Sequence, residues 1–228
     1  MKNRRILVVA AHPDDEILGC GAATARHAAE GAVVWTLILA EGITSRAGLS
    51  EGQKQAQLKK LHAQARKANA AVGVKKLILR SFPDNRLDTV ARLDVIQEIE
   101  AVIRELKPDT VYTHSSSDLN VDHQIVAESV RAACRPLPGS SVKRVLAFEV
   151  PSSTEWRFDA SSAFHPNVFV DVTRHLAKKL AALRAYGGEM RPFPHPRSAT
   201  YVSALAAVRG GQSGSRAAEA FCLIRETH

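Results

Sequence analysis

The residues best suited to chemistry are Ala11-His12-Pro13-Asp14-Asp15-Glu16, set directly behind the apolar run Ile6-Leu7-Val8-Val9-Ala10. The knot joins an imidazole, three consecutive carboxylates and a proline that fixes the backbone φ angle at the turn. Three adjacent carboxylates repel one another and drive their own pKa values up. A divalent cation removes that conflict, and His with Asp is an ordinary ligand set for zinc. The knot therefore reads as half of a metal site, and the other half must come from elsewhere in the chain.

The elements that would position it alternate. Residues 5–10 read as a strand, 17–30 as an Ala-rich helix closed by Gly31, 32–40 as a second strand and 51–72 as a helix. Lys76 to Arg80 reads as a third strand, 91–106 as a helix stopping before Pro108, and Asp109 to Thr113 as a fourth strand. Residues 122–134 then read as a helix, Arg144 to Val150 and Asn167 to Val170 as strands, and 173–186 and 198–209 as helices. Phe221 to Ile224 reads as a last strand. Strand–helix alternation over most of the length predicts an α/β fold, a Rossmann-like three-layer αβα sandwich with a mainly parallel sheet. With no repeat or linker to divide it, residues 1–228 read as one domain. In such sheets ligands bind beyond the carboxyl ends of the strands, where strand order reverses. Strands one and four flank that point, so the missing ligands are expected just after the fourth strand.

That loop is His114-Ser115-Ser116-Ser117-Asp118-Leu119-Asn120-Val121-Asp122-His123-Gln124. It holds two histidines, two aspartates and an asparagine. His12, Asp15 and His123 make a three-ligand set that leaves a fourth position for water, the arrangement of a hydrolytic metal. Asp14, next to a ligand but not required as one, is the natural general base for that water. Zinc is the expected metal, and iron would satisfy the same donors.

With both motifs in place the sequence resembles the PIG-L/LmbE-like zinc de-N-acetylase family, from the first strand through the Asp-His loop. The loop Pro83-Asp84-Asn85-Arg86-Leu87-Asp88 is also similar to the family's. The resemblance implies zinc on His12, Asp15 and His123, Asp14 as general base, and Asp122 as a carboxylate that orients the loop. It also implies removal of the acetyl group from an N-acetylglucosamine-type amino sugar or its conjugate, and a homo-oligomer like the rings that some members form. Some members carry a histidine three positions before the last zinc ligand, whereas this chain has Asn120. An amide donates a hydrogen bond to an oxyanion but cannot protonate a leaving amine. Proton delivery then falls to Asp14 or to another histidine, for which His195, between Pro194 and Pro196, is the candidate.

Other residues read as supports. Glu16 suits a role behind the site or in the first turn of the following helix, and His114 a hydrogen bond beneath the site rather than ligation. Arg46 and Arg86 are candidate clamps for substrate, and Trp156, near Glu149 and Ser152, is a candidate platform for a sugar ring. The three cysteines, Cys20, Cys134 and Cys222, are too few and too scattered for a disulfide framework, which fits a reducing cytoplasm. No run is long enough for stable membrane insertion, and the apolar N-terminal segment is too short for a signal peptide. The net charge of +8 comes from scattered basic residues with few aromatics among them, so a small-molecule substrate rather than nucleic acid is expected. Two other classes compete: a phosphoesterase-like metal hydrolase on the same fold, and a nucleotide-binding module. The latter is disfavoured because the acidic first turn would repel a pyrophosphate.

Overall fold

In the computed structural model, residues 4–43, 48, 50–159 and 163–228 are described. The first strand, β1 (Arg5–Ala10), is buried on both faces, as its β-branched sequence requires. It pairs in parallel with β2 (Val33–Ala40) on one side and β4 (Thr110–His114) on the other. β3 (Lys76–Phe82) continues the parallel array beyond β2, and β5 (Arg144–Phe148) continues it beyond β4. The seven-stranded sheet has the order β3-β2-β1-β4-β5-β7-β6, with β7 (Ala218–Glu226) antiparallel to both β5 and β6 (Val168–Asp171). The sequence reversal thus lies between β1 and β4, where the ligand crevice was expected.

Alternate residues of each strand feed two cores. Ile6 and Val8 pack with α1 (Asp15–Ala29), α2 (Glu51–Ala71), α5 (Leu176–Ala185) and α6 (Ala199–Ser213). Leu7 and Val9 pack on the opposite face with α3 (Arg92–Leu106) and α4 (Val121–Ala133). The result is the three-layer α/β/α sandwich with a mainly parallel sheet. No described helix is long and apolar enough to cross a membrane.

Differences from the sequence-based boundaries have local causes. α5 starts at Leu176 rather than residue 173 because Thr173 turns back onto the Asp171 carboxylate through its N–H and hydroxyl. α6 runs through Gly210 and Gly211 to Ser213. A Cβ at Gly210 would stand 2.7–2.8 Å from the backbone of residues 215–217, so this glycine permits close approach, and Gly214, at φ 72°, ends the helix. α1 is broken at Cys20 (φ −144°), between two glycines. A Cβ at Gly19 would lie 2.3 Å from the Phe148 ring, so only glycine lets α1 sit this close to β5.

Candidate active site

The turn after β1 and the loop after β4 meet at the switch point. His12 Nδ1 stands 3.2 Å from Asp15 Oδ2 and 3.3 Å from His123 Nε2, and the last two atoms are 3.1 Å apart. Four ligands at zinc–nitrogen and zinc–oxygen bond lengths, placed tetrahedrally, stand about 3.3 Å from one another. The three donors therefore already have the spacing of one metal's ligand set, and they form the one such cluster of His, Cys, Asp or Glu among the described residues. Asp15 is fully buried, and its Oδ1 has no hydrogen-bond partner. An orphaned carboxylate oxygen at such a depth is costly unless a cation or water satisfies it.

Electrostatics point the same way. Burial opposes charge on His12, yet hydrogen bonds to Asp122 and Asp15 and the nearby Asp84 raise it to about 10. Burial likewise opposes charge on His123, which Asp15 and Asp118 raise to about 9. The carboxylates thus call for two positive charges at the triad. A divalent ion supplies the same charge without protons, so the residues fit a metal.

Each histidine of the triad has its own carboxylate on the far ring nitrogen. His12 Nε2 is 3.0 Å from Asp122 Oδ2, whose Oδ1 accepts the Leu87 N–H at 2.9 Å. Asp122 therefore contacts His12 of the opposite loop, not only groups of its own. His123 Nδ1 lies 3.1 Å from Asp118 Oδ1, within ion-pair distance though off the line of a good hydrogen bond. Asp118 also accepts the Ser153 hydroxyl, the Thr154 hydroxyl at 2.6 Å and the Asn120 N–H at 2.9 Å. Although burial would raise it, these bonds and His123 hold its carboxyl below the usual range. Such partners fix the tautomer and direction of a metal-binding imidazole.

Asp14 is 3% exposed, and its carboxylate is hydrogen-bonded by Arg197. Its φ of 114° is a left-handed geometry that costs a non-glycine residue about 1–3 kcal/mol. Glu16 holds it there: Oε2 accepts the Asp14 N–H at 3.0 Å, while Oε1 accepts from Tyr186 at 2.7 Å and Asn69 at 2.8 Å. Burial pushes the Asp14 carboxyl up, while Arg197, whose Nη1 donates to Asp14 Oδ2 at 2.8 Å, pulls it back toward the charged form. Beneath the triad, His114 Nε2 accepts the Ala11 N–H at 2.8 Å and its ring stacks on His123, with centroids 4.0 Å apart. Burial holds His114 well below the ordinary histidine pKa, so it remains neutral.

Above these groups lies a cavity of about 190 Å3, walled by His12, Asp14, His123, Asn120, Asp84 and Arg197 among others. Gly42 forms part of the wall at φ 79°, and a Cβ there would stand 2.9 Å from Pro13. The Asn120 amide oxygen caps α4 by accepting the Asp122 N–H at 2.8 Å, so its NH2 turns outward and donates to Asn85 at 2.9 Å.

The remaining expected residues stand apart from this wall. His195 does not line the cavity: its Nδ1 accepts the Arg197 N–H at 3.0 Å and its ring meets the edge of Trp156. That bond curls the loop so that Arg197, two residues on, enters the cavity instead. Trp156 is 39% exposed and packs on His195, outside the wall. Arg86 is exposed and also outside the wall, and Arg46 lies outside the described residues. Sequence reasoning missed Arg197, Asp84 and the role of Asp118. For Asp118 there was a signal, since a histidine expected to bind metal needs a carboxylate partner and this one stands five residues from His123.

A family model described as PIG-L, GlcNAc-PI de-N-acetylase, matches residues 7–134, which includes both halves of the triad. The chain is 30% identical over 191 residues to an uncharacterised deacetylase, YaiS, of Escherichia coli K12, covering 81% of this chain and 91% of that protein. It is 28% identical over 196 residues to a 4-oxalmesaconate hydratase of Pseudomonas putida, covering 80% and 73%. Its fold superposes on an N,N'-diacetylchitobiose deacetylase from Pyrococcus horikoshii with a TM-score of 0.81, at 17% identity over 98% of this chain and 85% of that one. The AHPDDE turn and the Asp-His loop both lie within the matched residues, and the chain belongs to the PIG-L family.

Proposed function

We propose that the protein is a zinc-dependent hydrolase that removes the acetyl group from an N-acetylglucosamine-type amino sugar or its conjugate. One observation carries this reading. Three metal-ligand atoms stand 3.1–3.3 Å apart beside a buried carboxylate, Asp14, that is not needed as a ligand. When bound, the ion would acidify a water and polarise the acetamide carbonyl. Asp14 takes the proton of the attacking water as general base. The outward-facing Asn120 NH2 donates to the developing oxyanion. Asp14, having gained that proton, passes it to the leaving amine. This return path suits a chain in which Asn120 stands where a histidine could have served and His195 is engaged elsewhere. The family description and the chitobiose deacetylase neighbour support an acetylated amino sugar as the substrate class.

The hydratase relative favours a second reading, addition of water to an acid anion. An anionic substrate needs cations around it. Arg197 is the one arginine or lysine among the described residues of the cavity wall, and it is already paired with Asp14. That weighs toward an uncharged sugar. The test is acetate release from a panel of N-acetylated amino sugars and their conjugates, with and without chelator. Chelator-sensitive release is expected. Water addition to an unsaturated acid with no acetate from any sugar would replace the reading with the second one.

A further inference from the structure

We propose that Arg197 is the positioning residue of the general base: it grips one oxygen of Asp14 and leaves the other to accept the proton of the attacking water. The inference rests on Asp14 being that base. Among the described residues, Arg197 is the one side chain that hydrogen-bonds the Asp14 carboxylate, through Nη1 to Oδ2 at 2.8 Å. A carboxylate held only by its backbone turns about its last torsion, which is broad and roughly two-fold. One strong charge-assisted bond at a fixed point removes that freedom. Proton transfer then falls to Oδ1 in a constant direction.

Arg197 is itself held at several points. Its Nε donates to Ser152 Oγ at 2.7 Å, so the planar guanidinium is fixed by two nitrogens at once. Its N–H donates to His195 Nδ1 at 3.0 Å, and its carbonyl accepts the Arg191 N–H at 3.3 Å. The next residue, Ser198, caps α6 by accepting the Tyr201 N–H, so Arg197 projects from the root of a rigid helix. The base is therefore clamped from two sides: Glu16 fixes its backbone and Arg197 its carboxylate.

The alternative is that Arg197 binds substrate directly. Its charge argues against this, since Asp14 already pairs with it and Glu189 Oε2 lies 3.8 Å from the same nitrogen. A group committed to two carboxylates has little attraction left for a substrate anion. Lysine would not substitute well, because one ammonium cannot hold the planar two-nitrogen arrangement.

The experiment compares wild type, Arg197→Lys, Arg197→Met and Arg197→Ala in the acetate-release assay, with bound metal measured for each. Misplacement of a reacting group by about 1 Å costs roughly 100-fold in rate. The expected result for Arg197→Met is a fall in kcat of that order, KM nearly unchanged, and metal content equal to wild type. Arg197→Lys should keep part of the rate, and guanidinium ion should restore part of it to Arg197→Ala. Affinity for the same acetylated sugar is then compared between Asp14→Asn and Asp14→Asn/Arg197→Met. Equal affinities support positioning, whereas weaker binding in the double variant would make Arg197 a substrate contact and overturn the proposal. Wild-type kcat in Arg197→Met would overturn it while leaving the deacetylase reading intact. Absence of acetate release from wild type would defeat both, and that outcome is distinct from the other two.

Discussion

The two halves of α1 each bear a buried charge cluster, and the clusters are built on opposite terms. At the Cys20 break, the Leu18 carbonyl and the Ala22 N–H lose the bond they would share in an unbroken helix. Lys179 Nζ donates to that carbonyl at 2.6 Å, Glu219 accepts the Ala22 and Ala23 N–H groups at 3.2 and 2.6 Å, and the two side chains pair at 2.6 Å. The Leu18 carbonyl and the Ala22 and Ala23 N–H groups at the break thus all have side-chain partners. At the start of the same helix, Asp15 Oδ1 is buried without one, Asp14 holds a left-handed backbone, and carboxylates crowd two imidazoles. The first cluster completes the fold. The second leaves an electrostatic demand that the polypeptide does not meet, and that unmet demand marks the site.

Substitutions should therefore separate metal loss from stability loss. The largest effect is expected of His123→Ala, which removes one of the three proposed ligands and should abolish both metal content and turnover. Normal metal content by elemental analysis would take His123 out of the triad. Lys179→Met should do the reverse. Leaving a buried charge without its partner costs about 3–5 kcal/mol, read as a shift of the urea midpoint, with kcat of the folded fraction unchanged. A cost below about 1 kcal/mol would mean the helix break is satisfied in some other way.

A third test uses His27, in the last turn of α1. Its Nε2 meets the Tyr112 hydroxyl at 2.9 Å, and burial, with Arg4, Arg26 and Arg144 nearby, lowers it from 6.5 to about 4. The folded pKa lies below the unfolded one, so the unfolded chain binds the proton first. This contribution to stability is complete above pH 6.5 and is lost as the pH falls toward 4, amounting to about 3 kcal/mol. In denaturant titrations across that window, His27→Gln should flatten the acid-side loss. An unchanged slope would mean that His27 is not the group responsible. Smallest should be Asp118→Asn and Asp122→Asn, each expected to weaken metal binding or activity by about 10–100-fold without removing a ligand. Metal affinity equal to wild type in both would leave the ligand histidines oriented by the loops alone.

Much of this was legible in the chain. The alternation of strands and helices gave the sandwich, and the reversal beside β1 predicted where the second motif should lie. What escaped was long-range. The break in α1 at Gly19-Cys20-Gly21 has no local signature, because nothing near it in the chain shows that Glu219, nearly two hundred residues away, caps it. The proline-flanked loop at His195 drew attention, but a histidine is the more familiar catalytic group. Its ring accepts the backbone of Arg197, and the arginine enters the cavity in its place. Which residue of a loop points inward depends on such turn contacts, and periodicity carries no trace of them.

The most direct test of the central claim is bound metal per chain in Asp14→Asn beside wild type, measured on the same preparations as acetate release. With His12, Asp15 and His123 as the ligands and Asp14 as the base, the variant should hold as much metal as wild type and release essentially no acetate. Loss of metal together with turnover would make Asp14 a ligand and contradict the assignment.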